Sequence, residues 1–139
     1  MRYFTKEWFN LGQKRTYNRK QAEALRKQID AVSDAYWEAQ KKENLPEDLC
    51  RKFYFHDGKI RNVQAEKDYI LEIDSPFTNY HKLTFRDAIL KQESIETGAV
   101  WLYAELYRHA LGYEVHILSQ VGWDLRDTKI ICSEILIEE

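Results

Sequence analysis

The sequence predicts an α+β fold in which N-terminal helices precede a mainly antiparallel sheet or sandwich of about six or seven short strands. Apolar residues in the N-terminal third recur every three or four positions, which is typical of a helix packed on one side. From residue 53 onward the apolar period changes to two, which is typical of strands. The predicted helices lie at about residues 5–12, 18–43 and 46–52.

We expect a single domain over residues 1–139, with a helical portion at 1–52 and a β portion at 53–139. The length of 139 residues is that of a typical domain. Five glycines and two prolines are too few for a linker. The N-terminus lacks the apolar run of a secretory signal, and no segment has the roughly 18 apolar residues of a membrane helix. We therefore expect a cytoplasmic protein that does not bind membranes.

The long helix is the clearest element. Its apolar stripe follows spacings of 3, 4, 3, 4 and 3 and predicts packing against the rest of the domain. The stripe consists of Ala22, Leu25, Ile29, Val32, Tyr36 and Ala39. Asn18 is a good N-cap, with Gln21 three residues later, and Pro46 cannot continue the helix. Thr5 is a candidate cap for the first short helix, and Pro46 suits the start of the third.

The strands follow from alternation and turn residues. The predicted strands lie at about 53–56, 59–60, 69–74, 83–89, 100–107, 113–118 and 130–137. The Asp57-Gly58 pair favours a tight hairpin turn between the first two. Segment 100–107 also contains helix-favouring Ala, Leu and Glu, but its aromatic content and the following Gly112 turn favour a strand. Apolar residues on both faces of the last strand predict a central position in the sheet.

Charge is divided unevenly along the chain. Residues 1–61 carry 14 Lys and Arg against 9 Asp and Glu, whereas residues 62–139 carry 7 against 14. A basic end can bind nucleic acid through phosphate contacts. The same pattern is also typical of a basic helix that lies beside an acidic sheet within one fold.

Four stretches of the chain resemble a known family. They are residues 1–9, which contain Tyr-Phe-Thr-Lys-Glu at 3–7, the Phe-His-Asp at 55–57, and the predicted strand segments 101–105 and 112–118. Together they resemble an uncharacterised Firmicutes family, a domain of unknown function whose members begin with the Tyr-Phe-Thr-Lys-Glu stretch. The resemblance implies a bacterial, intracellular protein and supplies no activity or catalytic residue.

Glu105, Glu114 and His116 form the main polar constellation. If strands 100–107 and 113–119 pair, Glu114 and His116 share one face, and Glu105 lies near His116 in some registers. One histidine and two carboxylates make up some metal sites, but cross-strand polar pairs are also ordinary on a solvated face. His56 and Asp57 are adjacent on a predicted strand and turn, so their side chains should point apart.

Motifs for several enzyme classes are missing from the sequence. It contains no G-x-x-x-x-G-K, G-x-G-x-x-G or G-x-S-x-G, which argues against nucleotide-dependent enzymes and α/β-hydrolases. Cys50 and Cys132 are too few for a disulfide framework or a zinc site. We therefore assign no catalytic residue, no metal and no cofactor.

The leading functional hypothesis is a non-catalytic protein-binding module. Its partner would be an unidentified protein of basic character, and by fold-level analogy the module would resemble an immunity protein that neutralises a toxin. The chain would act as a monomer or homodimer. Aromatic residues are favoured as interface anchors. Trp101, Tyr103, Tyr107 and Trp123 are candidates to reach the surface, and we expect about half of them to belong to the core instead. The candidate binding residues are Trp101, Tyr103, Glu105, Glu114 and His116.

Two alternatives remain open. The first is a nucleic-acid-binding module that uses Lys14, Arg15, Arg19 and Lys20, with Tyr17 nearby for base stacking. The second is a metal-dependent or acid–base enzyme that uses Glu105, Glu114 and His116.

Overall fold

Three helices precede eight strands, and every strand pairing is antiparallel. The computed structural model describes residues 1–139. The helices are α1 (Lys6–Gly12), α2 (Arg19–Lys41) and α3 (Glu47–Lys52). The strands are β1 (Gly58–Ala65), β2 (Tyr69–Asp74), β3 (Lys82–Arg86), β4 (Ile89–Gln92), β5 (Val100–His109), β6 (Gly112–Val121), β7 (Asp124–Cys132) and β8 (Glu134–Glu138). The α+β class is confirmed, but there are eight strands rather than six or seven.

The helices begin where their caps predict. The Thr5 hydroxyl accepts a hydrogen bond from the backbone N–H of Trp8 at 3.1 Å, and the Asn18 side chain accepts one from Gln21 at 2.9 Å. These bonds satisfy N–H groups that have no partner within the helix. No helix here has an apolar stretch of the length needed to cross a membrane.

Helix α2 is less buried than its stripe suggests. Only Tyr36 is fully buried, whereas Ala22 is exposed. Helix α1 packs beside the middle of α2, where the Trp8 indole N–H donates to the carbonyl of Ile29 at 3.2 Å. The stripe therefore packs within the fold, mainly through its C-terminal half.

Two bent strands explain why the sequence predicts too few strands. The strand order is β4-β7-β6-β5-β1-β2-β3-β8. β3 pairs with β8 and β4 pairs with β7 in one continuous register, which is interrupted around Asp87 and Ser133. Asp87 has a φ of 49°, and the Ser133 hydroxyl donates to its carboxylate at 3.0 Å. Because the two ends of the sheet belong to the same two bent strands, the sheet curls and closes on itself.

These bends also correct the predicted positions of two strands. The predicted strands 83–89 and 130–137 are each broken in two, because alternation alone does not reveal a kink. β7 lies between β4 and β6, as the central prediction requires, but β8 pairs only with β3. Segment 100–107, which was ambiguous, is part of strand β5.

The predicted hairpin at Asp57-Gly58 is wrong. Residues 53–57 form no strand and lead from α3 into β1. Gly58 is required by packing, because a Cβ there would lie 2.6 Å from Ile73 Cγ2 and 2.7 Å from the Phe55 carbonyl oxygen. The chain therefore turns a corner at this point, and the segment before Gly58 does not pair with β1.

The closed sheet surrounds the main core. Leu106 of β5, Val115 and Ile117 of β6, and Ile130 of β7 point inward and are fully buried. The N-terminal segment and α2 cover the outer face of β5, where Phe4, Tyr36 and Tyr107 form a smaller aromatic cluster. This arrangement brings α2, the N-terminal segment and one edge of β5 together.

Candidate functional site

Strand β5 has an incomplete edge. It pairs with β6 along its length, but it pairs with β1 only at Gly58 opposite Trp101 and Lys59 opposite Val100. Beyond that point the segment 53–57 leaves the sheet. The edge of β5 from residue 102 to 108 therefore has no neighbouring strand.

Side chains cap three backbone groups of this edge. A two-residue turn joins His109 to Gly112, so these two residues form a hydrogen-bonded pair and the pattern alternates from there along β5. The N–H and C=O groups of odd-numbered β5 residues therefore point towards β6, and those of even-numbered residues point towards the open edge. The carbonyl of Leu102 accepts a hydrogen bond from His56 Nδ1. The N–H of Leu106 donates to the Tyr36 hydroxyl at 3.0 Å. Glu43 caps the next N–H, that of Arg108, at 2.9 Å.

Ala104 lies between these capped positions and faces a cavity of about 300 Å³. The same alternation directs its backbone N–H and C=O into that cavity. Half of the 14 lining residues are Phe, Tyr or Trp, and none is Lys, Arg, Asp or Glu. We call this site the aromatic cleft, with walls from the N-terminal segment, α2, residues 53–56 and β5. Its aromatic members are Phe4, Tyr36, Trp37, Phe53, Tyr54, Trp101 and Tyr103.

The rim of the aromatic cleft is open, and two carboxylates without a Lys or Arg partner, Asp34 and Asp57, each follow a residue that lines it. Trp37 and Tyr54 are 49% and 50% exposed. Asp34 lies one helical turn from Trp37 and forms no ion pair. Asp57 lies 3.6 Å from His56 Nε2, so these two side chains meet, contrary to the sequence prediction, because residues 53–57 are not a strand. Burial raises the pKa of Tyr103, and the nearby charge of Asp57 raises it further.

Cys50 lines the aromatic cleft but is not an activated nucleophile. Burial raises the pKa of its thiol, so the protonated form is favoured at neutral pH. Cys132 lies in the core, where burial raises its pKa to about 12. Neither thiol has the lowered pKa of a reactive cysteine.

The polar constellation on β5 and β6 is brought together. Glu105 stands opposite His116 in the register, and His116 Nε2 lies 2.8 Å from Glu114 Oε2. The solvated face considered as an alternative is wrong, because all three side chains are buried. The N-terminal segment covers them.

The Glu105 carboxylate binds the N-terminal segment. Its carboxylate accepts hydrogen bonds from the backbone N–H groups of Arg2 at 2.9 Å, Tyr3 at 2.9 Å and Phe4 at 2.7 Å. The Tyr107 hydroxyl donates a fourth bond at 2.6 Å. Four donors use the accepting capacity of one carboxylate, so Glu105 acts as an anchor for the chain.

His116 is held in one tautomer. Its Nδ1 accepts from the Met1 ammonium group at 2.9 Å, which requires the proton on Nε2, where it is donated to Glu114. Burial lowers the pKa of His116, so the neutral ring is favoured. Burial by itself raises the pKa of Glu114, but the hydrogen bond from His116 and the neighbouring positive charges bring it below its usual value. The chain contains no group of three or more His, Cys, Asp or Glu that could hold a metal ion.

The predicted surface aromatics divide into two groups. Trp101 and Tyr107 are each only 2% exposed, so these two are the members of the set that belong to the core. The closed sheet places Trp101 against Phe53 and Phe55, and the N-terminal segment covers Tyr107. Tyr103 lines the aromatic cleft, and Trp123 is 98% exposed in the turn between β6 and β7.

Sequence reasoning missed the main residues of the aromatic cleft, which are Tyr36, Trp37, Tyr54 and Ala104. One signal was present for Trp37, because it is a large aromatic residue one position off the apolar stripe of a helix. Ala104 gave no local signal, since its importance comes from the missing strand beside it.

Two of the predicted basic residues lie in the connection between α1 and α2, and the other two begin α2. Lys14, Arg15, Arg19 and Lys20 are all exposed. Arg19 pairs with Glu23 at 2.9 Å, and the Arg15 guanidinium lies 6.0 Å from the centre of the Tyr17 ring. We call these four residues the basic patch.

Comparison with known proteins identifies the family but no activity. A family described as "Protein of unknown function (DUF4085)" matches residues 9–124. No curated protein and no solved structure matches the chain. The expected domain-of-unknown-function family is thus confirmed, whereas the Tyr-Phe-Thr-Lys-Glu stretch lies before the matched range and a Firmicutes origin stays a prediction. With most of its length matched, the chain belongs to the DUF4085 family of proteins of unknown function.

Proposed function

We propose that this chain is a non-catalytic binding module that holds a partner protein in the aromatic cleft. The observation that carries the proposal is a cavity of about 300 Å³ walled by aromatic rings, with Trp37 and Tyr54 half-exposed at its rim. Buried aromatic anchors in pockets dominate the free energy of many protein interfaces. The acidic residues Asp34 and Asp57 beside this rim favour a partner of basic character.

The state of the reactive side chains also favours binding over catalysis. Glu105 and His116 use their hydrogen-bonding atoms to hold the N-terminal segment, so neither is free to accept a substrate proton. The proposal includes the bacterial, cytoplasmic setting and the monomeric or homodimeric state that the sequence suggests. One specific version of this proposal, by analogy with immunity proteins, is that the chain neutralises a basic toxin.

Affinity purification with matched variants tests the proposal. The tagged wild-type chain and the variants Trp37→Ala, Tyr54→Ala and Trp123→Ala are each used to capture partners from a host lysate. We expect a stoichiometric protein with the wild type and with Trp123→Ala, and its loss with Trp37→Ala and Tyr54→Ala. Circular dichroism establishes that each variant is folded. If both cleft variants retain every partner of the wild type, the proposal is wrong.

Nucleic-acid binding is a second candidate function. It is favoured by the exposure of all four members of the basic patch and by Tyr17, which is 79% exposed and available to stack on a base. The salt dependence of binding to a labelled oligonucleotide tests this function.

A further inference from the structure

The open edge of β5 has one unpaired peptide position inside the aromatic cleft. Between Leu102 and Arg108, side chains satisfy the carbonyl of Leu102 and the N–H groups of Leu106 and Arg108, but no side chain reaches the N–H or C=O of Ala104. The unpaired donor and acceptor of an open strand edge are a template for pairing with a further extended chain. One residue of an extended chain supplies both.

The side chain of Ala104 explains where the ligand's own side chain would go. Ala104 packs against the inner core, where its neighbours Trp101 and Leu106 are much larger. Residues that pair across an antiparallel bridge place their side chains on the same face. A residue paired with Ala104 would therefore direct its side chain into the space left by the small methyl group. A volume of about 300 Å³ is at the lower limit of ligand pockets, and it suits one large side chain.

The caps limit the length of the bridge. His56 occupies the carbonyl of Leu102 on one side, and the Tyr36 hydroxyl occupies the N–H of Leu106 on the other. A long added strand would have to displace both side chains. A ligand that pairs with Ala104 alone can leave the edge in both directions without disturbing them.

The charges around the cleft indicate the flanking residues. No Lys or Arg lines the cavity, and Asp34 and Asp57 near the rim form no ion pair with either residue type. Residues that flank a bound anchor would pass this rim. Lys or Arg at those positions would be favoured, and Asp or Glu would be repelled.

We propose that the aromatic cleft binds an extended, basic segment of a partner protein, which forms a one-residue β-bridge with the backbone of Ala104 and inserts a large apolar side chain. This inference rests on the proposed function, because it names the chemistry of the partner at the same site.

A peptide selection tests the inference without knowledge of the partner. A display library of random ten-residue peptides is selected on the wild-type chain and counter-selected on Ala104→Leu, which fills the cavity. Trp37→Ala serves as a second cleft variant, because it removes a half-exposed aromatic wall and stays informative even if Ala104→Leu fails to fold. Trp123→Ala serves as the matched control away from the cleft. Enriched peptides are then synthesised with an N-methyl group at each amide in turn, and their affinities are measured by fluorescence anisotropy.

We expect enriched peptides that carry one large apolar residue flanked by Lys or Arg. N-methylation at the anchor residue should weaken binding about fivefold or more, because it removes the donor to the Ala104 carbonyl, whereas N-methylation near the peptide ends should have little effect. Binding to Trp123→Ala should equal that of the wild type.

Two results would overturn the inference. Cleft-dependent peptides that tolerate N-methylation at the anchor residue would show that no β-bridge forms with Ala104. Cleft-dependent peptides without Lys or Arg beside the anchor would show that there is no charge preference. Either result leaves the proposed function intact. A selection that enriches no cleft-dependent peptide would also reject the inference. The proposed function itself is decided separately, by the affinity purification with Trp37→Ala and Tyr54→Ala.

Discussion

Glu105 on β5 stands directly opposite His116 on β6, and both side chains hold the first residues of the chain against the sheet. Such a pair of chemistry-bearing residues invites an enzymatic interpretation. Their partners show that the pair connects the N-terminal segment to the sheet. Phe4, which follows this anchor, forms part of the aromatic cleft wall, so the anchor also helps to build the binding site.

The substitution Glu105→Gln should destabilise the fold strongly. An amide can still accept hydrogen bonds through its oxygen, but its NH₂ group would face N–H donors from Arg2, Tyr3 or Phe4. Loss of charge-assisted bonds to a fully buried carboxylate should lower the free energy of unfolding by about 3 kcal/mol. Urea denaturation measures this change. Glu72→Gln, at an exposed position on β2, is the control and should be nearly neutral.

The stability of the protein should fall as the pH drops below about 6.5. Burial lowers the pKa of His116 in the folded state, so the unfolded chain binds more protons in the range below the usual histidine pKa. The groups that face the ring are the Met1 ammonium, Glu114, Glu105 and Tyr107. Denaturation midpoints between pH 7.5 and 5 should therefore decline.

His116→Gln should flatten this decline, since glutamine does not titrate. Glu114, whose pKa is lowered, adds a separate loss of stability at more acidic pH, as the carboxylate becomes protonated. His81→Gln, at an exposed position, is the control substitution for loss of a histidine. An unchanged slope in His116→Gln would contradict the assignment.

Removal of one hydroxyl group should loosen α2 from the sheet. The Tyr36 hydroxyl accepts from the N–H of Leu106 at 3.0 Å and from the Gln40 side chain at 2.6 Å, and burial raises its pKa to about 12. Tyr36→Phe leaves a buried N–H without a partner, so the free energy of unfolding should fall by about 1–2 kcal/mol. Tyr17→Phe, at an exposed tyrosine, should change it very little. Equal stability of the two variants would show that the bond to Leu106 is unimportant.

Charge reversal tests the basic patch. If it binds single-stranded nucleic acid, affinity should fall steeply with added salt, and Arg15→Glu, Arg19→Glu and Lys20→Glu together should abolish it. If these three residues contact phosphates, a plot of log affinity against log salt for the wild-type chain should have a slope of about −2 or steeper. Fluorescence anisotropy with a labelled oligonucleotide measures both quantities. The control reverses three exposed lysines elsewhere, namely Lys67, Lys82 and Lys91. An affinity that changes neither with added salt nor with charge reversal in the basic patch would exclude this function.

Local sequence signals were reliable where the interactions are local. Thr5 and Asn18 cap the helices because their side chains reach N–H groups three residues away. The proximity of Glu105, Glu114 and His116 was also predictable, because β5 and β6 are joined by a two-residue turn that sets their register. Their burial was not, since the residues that cover them lie more than 100 positions away.

The sequence by itself determined the helices, the alternation of the strands and the α+β class, because each depends on residues within a few positions of one another. Only the tertiary structure decided that β3–β4 and β7–β8 close the sheet and that Trp101 lies inside it. It also decided that no strand pairs with β5 beside Ala104. These features depend on which distant segments pair and where pairing stops. Such long-range choices are decided by the packing of the whole core.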